Sequence, residues 1–197
     1  IKEEAERLGI EHRVLEIDLF GDRAFSENTE ERCYFCKKEM IAALNGLKDE
    51  IGYDHVIDAS NRSDIIDYRA GLVALHEEGV LTPLLDAEIG KDDIAGYSKE
   101  FGLEMRATQS CLATRVPTHT AIRKPGIERI RQVENEISKL GLSLVRARVH
   151  EKLLRIQVLE SEMEKALKNK DMINEIAKKA GFAFVTIDLE PYRNNYL

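Results

Sequence analysis

The chain has 197 residues, 43% hydrophobic and 33% charged, with 12 Gly, 4 Pro and no Trp, a composition that excludes disorder, collagen and a disulfide scaffold. Its 36 acidic and 29 basic residues leave a net charge of −7, which argues against a nonspecific nucleic-acid binder, and no apolar run approaches the ~20 residues of a membrane span. Three cysteines in a chain rich in Lys and Glu, with no secretory features, point to a reducing compartment, the cytoplasm, and the length allows one full domain plus a small one, or a single larger one.

Residues 1–8 (IKEEAERL) read as the tail of an amphipathic helix, with Gly9 in the C′ position that favours glycine. A chain that opens on Ile and inside a helix is expected to lack an N-terminal portion. A strand pattern follows over 12–19, then a polar loop over 22–29. The next helix carries Cys36, Met40, Leu44, Leu47 and Ile51 at steps of three and four, one face at 3.6 residues per turn. Residues 56–59 (VIDA) form a short buried-strand pattern and 60–67 are polar. A helix through Leu72 and Leu75 ends at Gly79, and another runs from Asp92 through Ile94, Tyr97 and Phe101 to Gly102. Strands separated by helical segments predict a parallel, helix-covered sheet.

Residues 105–125 carry no period and read as a loop holding Cys111, Arg115, Pro117 and Pro125. Beyond it the pattern changes. A helix shows Ile127, Ile130, Val133, Ile137 and Leu140 before Gly141, and strand patterns over 144–149 and 153–159 sit close together. A long helix opens with Ser161 and Glu164, the S-x-x-E capping box, and continues through Met163, Leu167, Ile173 and Ile176 to Gly181. Residues 184–189 read as a last strand. This α-β-β-α-β order predicts a small appended α/β domain, so that 1–120 and 121–197 are the expected units.

Cys33 and Cys36 (ERCYFCKK) stand at the start of a helix, where sulfurs three residues apart share one side of the first turn and the dipole favours thiolates. The spacing suits a metal, a cluster or a dithiol. Two half-buried thiols fit it as well, because zinc and iron–sulfur sites want more ligands. Cys111 lies in TQSCLATRVP, four residues before Arg115, and a cation near a loop cysteine favours the nucleophilic thiolate. The three cysteines together could supply three ligands of a 4Fe-4S cluster and leave one iron open. A loop cysteine of no consequence is the plain alternative.

In DHVIDASNRSD, Asp58, Ser60 and Asn61 follow a strand end, where parallel α/β sheets bind ligands, although a polar loop with an N-cap is simpler on composition alone. Arg146 and Arg148 alternate on one strand face and suit a phosphate or carboxylate, though an exposed face carrying arginines is commoner. The five histidines show no ligand spacing, and no Ser-His-Asp order, P-loop or G-x-G-x-x-G is present.

Taken in order, ERCYFCK, DASNRSD followed by DYRAGL, SCLATR, IRQVE, the RAR pair and the terminal LEPYR resemble the sulfur transferases of the nickel-pincer nucleotide pathway (LarE type). Those belong to the PP-loop ATP pyrophosphatase superfamily, related to NAD and GMP synthetases. The resemblance covers essentially the whole chain, with SCLATR and C-x-x-C its more specific pieces. It implies an α/β fold: a parallel-sheet PP-loop domain and a smaller C-terminal α/β domain that completes the substrate site. It also implies an enzyme that uses ATP and Mg2+ to adenylate a carboxylate of a pyridinium mononucleotide and then converts the acyl group to a thiocarboxylate. A homo-oligomer is expected, with no membrane partner.

In one branch of that family the loop cysteine gives up its own sulfur and becomes dehydroalanine; in another, three cysteines hold a 4Fe-4S cluster. This sequence has cysteines at all three places, so it resembles the cluster branch, with Cys33, Cys36 and Cys111 as ligands. Asp58, Ser60 and Asn61 match the family's D-G-T-N loop, with Ala59 in place of Gly and Ser60 in place of Thr. Arg115, Arg146, Arg148 and Glu134 fall where the family binds substrate phosphate or metal. The family's S-G-G-x-D-S phosphate loop is not in this sequence and is expected upstream of Ile1. A tRNA-thiolating or synthetase-like PP-loop enzyme is the competing enzymatic reading, against which the acidic balance counts. A module merely stabilised by a metal is the non-enzymatic one.

Overall fold

The computed structural model describes residues 2–65, 70–103 and 110–192. Asp67, Tyr68 and Arg69 of DYRAGL, Thr108 and Gln109 ahead of SCLATR, and Arg193 of LEPYR lie outside the described residues. Short helices dominate the first half: α1 (Lys2–Leu8), α2 (Arg23–Ser26), α3 (Arg32–Ile51), α4 (Ala70–Glu77), α5 (Pro83–Asp86) and α6 (Lys91–Glu100). α1 stops where Gly9 takes φ 66°, the left-handed cap a side chain would resist.

The strand expected over 12–19 does not form. That stretch has no ladder partner among the described residues, and Val14 is 75% exposed. An alternating pattern needs a sheet to bury one of its faces, and among the described residues none is adjacent. VIDA shrinks to one parallel bridge, Ile57 to Leu81, in which the Asp58 N–H donates to Leu81 O at 2.9 Å and the Leu81 N–H to Val56 O at 3.0 Å. Among the described residues this bridge is all that represents the parallel sheet expected of 1–120. The apolar face expected of α3 is also out of phase. Met40 and Leu44 are 41% and 37% exposed, while Ile41 is buried against Ala74 and Leu75 of α4 and against Val80.

In the second half the 3₁₀ turn Leu112–Arg115 leads to α7 (Lys124–Ser138), β1 (Val145–His150), β2 (Leu153–Val158), α8 (Met163–Lys168), α9 (Lys170–Lys179) and β3 (Phe184–Ile187). The sheet has the order β1-β2-β3, with β1 and β2 antiparallel and β2 and β3 parallel. The parallel pair needs a crossover, which α8 and α9 supply. Glu151 and Lys152 alone turn β1 into β2, with Glu151 at φ 54°, and Arg148 stands opposite Arg155. Val145, Ala147, Leu154, Ile156 and Val158 bury one sheet face against Val133 and Ile137 of α7, Ala166 of α8, and Ile173 and Ala177 of α9. Because strand side chains alternate, Arg146, Arg148 and Gln157 occupy the other face.

The long helix expected from Ser161 is two helices separated at Asn169, and its capping box is not made. The Glu162 carboxylate instead accepts the backbone N–H groups of Ser143, at 2.6 Å, and Leu144, at 3.4 Å, so this acid fastens the loop before β1. The fold is therefore α/β with a small mixed sheet. No helix among the described residues is long and apolar enough to cross a membrane.

Candidate functional site

The Cys111 segment is clasped to the first turn of α3 by a residue that sequence reasoning missed. Asn28 is fully buried and sits at φ 58°, a conformation Asn tolerates better than most residues. Its Nδ2 donates to Pro117 O at 2.8 Å and to Thr120 O at 2.9 Å, its own carbonyl accepts the His119 N–H at 2.8 Å, and its Oδ1 accepts from Arg32 Nη1. Phe25, Ala113 and Ile122 make a small core beside this clasp, with Cys36 packed against it. The sequence signal was only an Asn in a polar loop; its partners about 90 residues away carry no local pattern.

All three cysteines are free thiols, Cys33 and Cys111 exposed and Cys36 half-buried. Burial pushes the Cys36 thiol up, and the neighbouring Cys111 and Cys33 push it further, against the opposing pull of Lys37 and Arg32. Cys36 packs against the core that includes Ala113, two residues beyond Cys111, and Arg32 Nη1 lies 3.5 Å from Ala113 O, so the C-x-x-C turn and the Cys111 loop meet. Among the described residues no three His, Cys, Asp or Glu side chains gather tightly enough to hold a single metal ion. A 4Fe-4S cube is a larger body than one ion, and three free thiols on a turn and a loop that meet, two of them open to solvent, suit it in donor type and access.

Arg115 and Glu134 are brought together, with each other as principal partners. Arg115 is 2% exposed; its Nε donates to Glu134 Oε1 at 2.7 Å and its Nη2 to Oε2 at 3.2 Å, a bidentate pair. Arg115 Nη1 donates to Ser110 O at 2.7 Å, to Ser110 Oγ at 2.9 Å and to Cys111 O at 3.3 Å. Glu134 Oε1 also accepts the Ala147 N–H at 2.8 Å. The guanidinium therefore meets the backbone of the Cys111 loop and ties it to α7 and β1.

Arg146 and Arg148 line a cavity of about 300 Å³ together with Arg32, Thr114, Pro117 and His150. Arg146 Nη2 donates to Thr114 Oγ1 at 3.2 Å and its guanidinium lies over the Tyr192 ring, 5.4 Å from the centroid. Its Nε is buried without a hydrogen-bond partner among the described residues. Burial, with Arg148 and Arg115 nearby, pushes Arg146 down to about 10. Arg148 is lowered by burial and then by Arg155 and Arg115, and its Nε donates to Gln157 Oε1 at 3.0 Å. A crowded cationic cavity with an orphaned donor is built for an anion.

A larger cavity, about 870 Å³, opens on the other side of the α3 turn, bordered by Glu30, Cys33, Tyr34, Lys37, Ser60 and Asp64. Asp58 works from behind it: Oδ2 accepts from Lys37 Nζ at 3.1 Å, and Oδ1 accepts the Ser60 N–H at 2.8 Å and the Ser60 hydroxyl. Burial acts to raise Asp58, but the hydrogen bonds from Ser60 and Lys37 prevail and hold it below the usual carboxylate range. Asn61 is spent locally. Its Oδ1 accepts the Ser63 N–H at 3.1 Å and its Nδ2 donates to Asp64 Oδ2 at 2.9 Å, capping the turn Arg62–Asp64.

No protein-family model matches the chain. It is 31% identical over 98% of its length to an uncharacterized protein of Synechocystis, of which it spans 74%, and 30% identical over 96% of its length to one of Methanocaldococcus jannaschii, of which it spans 73%. It is also 30% identical over 96% of its length to the pyridinium-3,5-bisthiocarboxylic acid mononucleotide synthase of Lactiplantibacillus plantarum, spanning 70% of that protein. At that identity over that coverage, the chain belongs to the family of this synthase.

Proposed function

We propose that the protein is an ATP-dependent sulfur transferase that acts on a carboxylated pyridinium mononucleotide in nickel-pincer cofactor synthesis. The observation that carries this reading is the meeting of the C-x-x-C turn with the Cys111 loop, where Cys33 borders a cavity of nucleotide size and Arg32 one lined by arginines. The relationship to the Lactiplantibacillus plantarum synthase supports the sulfur-transfer chemistry. A homo-oligomer in the cytoplasm goes with this reading.

A carboxylate is a poor acyl electrophile, so it is activated first. One carboxylate oxygen attacks the α-phosphorus of ATP and pyrophosphate departs; Mg2+, when bound with ATP, would offset the phosphate charge. Sulfide then attacks the acyl carbon; the C–O bond breaks, AMP leaves with its electron pair, and a thiocarboxylate remains. Cys33, Cys36 and Cys111 would hold a 4Fe-4S cluster, which, bound by three thiolates, supplies one iron position open to exogenous sulfide. Arg146 and Arg148 hold the substrate phosphate, while Asn28 and the Arg115–Glu134 pair keep the Cys111 loop against α3. Lys37, steered by Asp58, faces the ATP side beside Ser60.

Anaerobic reconstitution with iron and sulfide tests the reading. It should produce thiolate-to-iron absorption near about 400 nm and several turnovers per chain, and Cys33→Ser or Cys36→Ser should each abolish transfer. A single turnover per chain, with Cys111 converted to dehydroalanine and Cys33 and Cys36 dispensable, would replace the cluster by a sacrificial cysteine. A folded protein that transfers no sulfur under either condition would leave only a binding module.

A further inference from the structure

We infer that Arg32 joins Arg146 and Arg148 in the anion cavity, and is the arginine that seats a phosphate monoester beside Cys33. The identity of that phosphate as a mononucleotide's rests on the proposed function. Arg32 and Cys33 are consecutive, yet Arg32 lines the smaller cavity and Cys33 the larger. Arg32 Nη1 is held from behind by Asn28 Oδ1 and lies 3.5 Å from Ala113 O. Its Nη2 lies 3.8 Å from Cys33 Sγ. The planar fork is thus fixed on the wall between thiol and cavity, a cheaper arrangement for binding than a free side chain.

Charge points to the occupant. Arg32, Arg115, Arg146, Arg148 and His150 line the smaller cavity, and no carboxylate lines it among the described residues. The acids that act on Arg146 and Arg148 are already committed: Glu134 to Arg115 and the Ala147 N–H, and Asp188 to Gln157 and Arg155. Arg146 Nε still lacks a partner among the described residues. A phosphate monoester, dianionic near neutral pH and rich in acceptor oxygens, satisfies both deficits, whereas a single carboxylate supplies one charge and two oxygens.

Calorimetric titration of the protein with inorganic phosphate at low salt, run with Arg32→Gln and Arg32→Lys beside wild type, tests this. Arg32→Gln should weaken phosphate binding about tenfold or more, the usual scale for losing a charge-assisted hydrogen bond, and Arg32→Lys should lose less because it keeps the charge but not the fork. Phosphate should also slow iodoacetamide modification of Cys33 in wild type, read by peptide mass, and not in Arg32→Gln. Unchanged phosphate affinity in Arg32→Gln, with only its melting temperature lowered, would reduce Arg32 to a strut between Asn28 and Ala113 and overturn the inference. Should that variant not fold, Arg32→Lys decides alone: wild-type affinity and wild-type protection of Cys33 would overturn it equally. AMP and nicotinic acid mononucleotide, added separately as competitors, assign the phosphate to the adenylate side or the substrate side; displacement by neither overturns a nucleotide phosphate as the occupant. Phosphate binding that depends on Arg32 in a protein without sulfur transfer would break the proposed function and spare this site, while active transfer with Arg32 indifferent to phosphate would do the reverse.

Discussion

From Val133 to Phe182 twelve buried residues close around one sheet face, whereas among the described residues α3, α4 and the Val80 that follows them share a core of four: Ile41, Ala74, Leu75 and Val80. Large apolar side chains stay in water in both halves, Tyr53, Ile57 and Phe101 in the first and Phe184 and Leu189 in the second, but more of them in the first. The sheet sorts its own side chains, apolar to one face and arginine to the other. The helices of the first half lack such a template and lean on the seam built by Asn28, Arg115 and the Phe25 core. The site sits on that seam, so its geometry is only as firm as the contacts between the two halves.

The largest effect should come from cutting the seam. Arg115→Ala strands Glu134, 6% exposed, with one backbone donor, and should cost about 3–5 kcal/mol in urea or thermal unfolding. A loss below about 1 kcal/mol, the range of an exposed ion pair, would mean that the halves do not depend on it. Next in size is a matched truncation in the two cores. Leu154→Ala should cost about 2–5 kcal/mol, and Leu75→Ala should fall at or below the bottom of that range because its smaller, wetter surroundings collapse more readily. Equal losses at the two sites would erase the contrast. The smallest effect is a titration. The pH profile of Cys36 alkylation should have its midpoint above the ~8.5 of a free cysteine, since burial and the adjacent thiols disfavour the thiolate. Cys111→Ser removes one of those neighbours and should lower the midpoint; no change would separate the loop cysteine from the C-x-x-C turn.

The second half was legible because its residues obey a period: alternation over 145–150 and 153–158, and steps of three and four through Ile130, Val133 and Ile137. Over 12–19 the same alternation misled, because a strand is defined by its partner and not by itself. On α3 the apolar residues run too far around the helix for a single face to be read, and α4 selects Ile41 over Met40 and Leu44. Ser161 and Glu164 matched a capping pattern, yet the working acid is Glu162, whose partners Ser143 and Leu144 lie in another element. At the site, the residue types named from sequence are present, and the structure adds what joins them. Arg115 with Glu134, and Asn28 with Pro117 and Thr120, are pairings across the chain that no local spacing encodes.

The turn at Glu151 and Lys152 has a consequence for how this chain can change. Inserting or deleting one residue there would shift β1 by one step against β2, and every side chain of β1 would exchange faces. Arg146 and Arg148 would be driven into the space filled by Val145 and Ala147, and the anion cavity would lose its charge along with the core its packing. Length variation is ordinarily cheap at a hairpin tip. Here the left-handed Glu151 is a ratchet tooth that sets the aim of two guanidiniums several residues away, so substitutions should be admitted at this tip far more readily than a single-codon insertion or deletion.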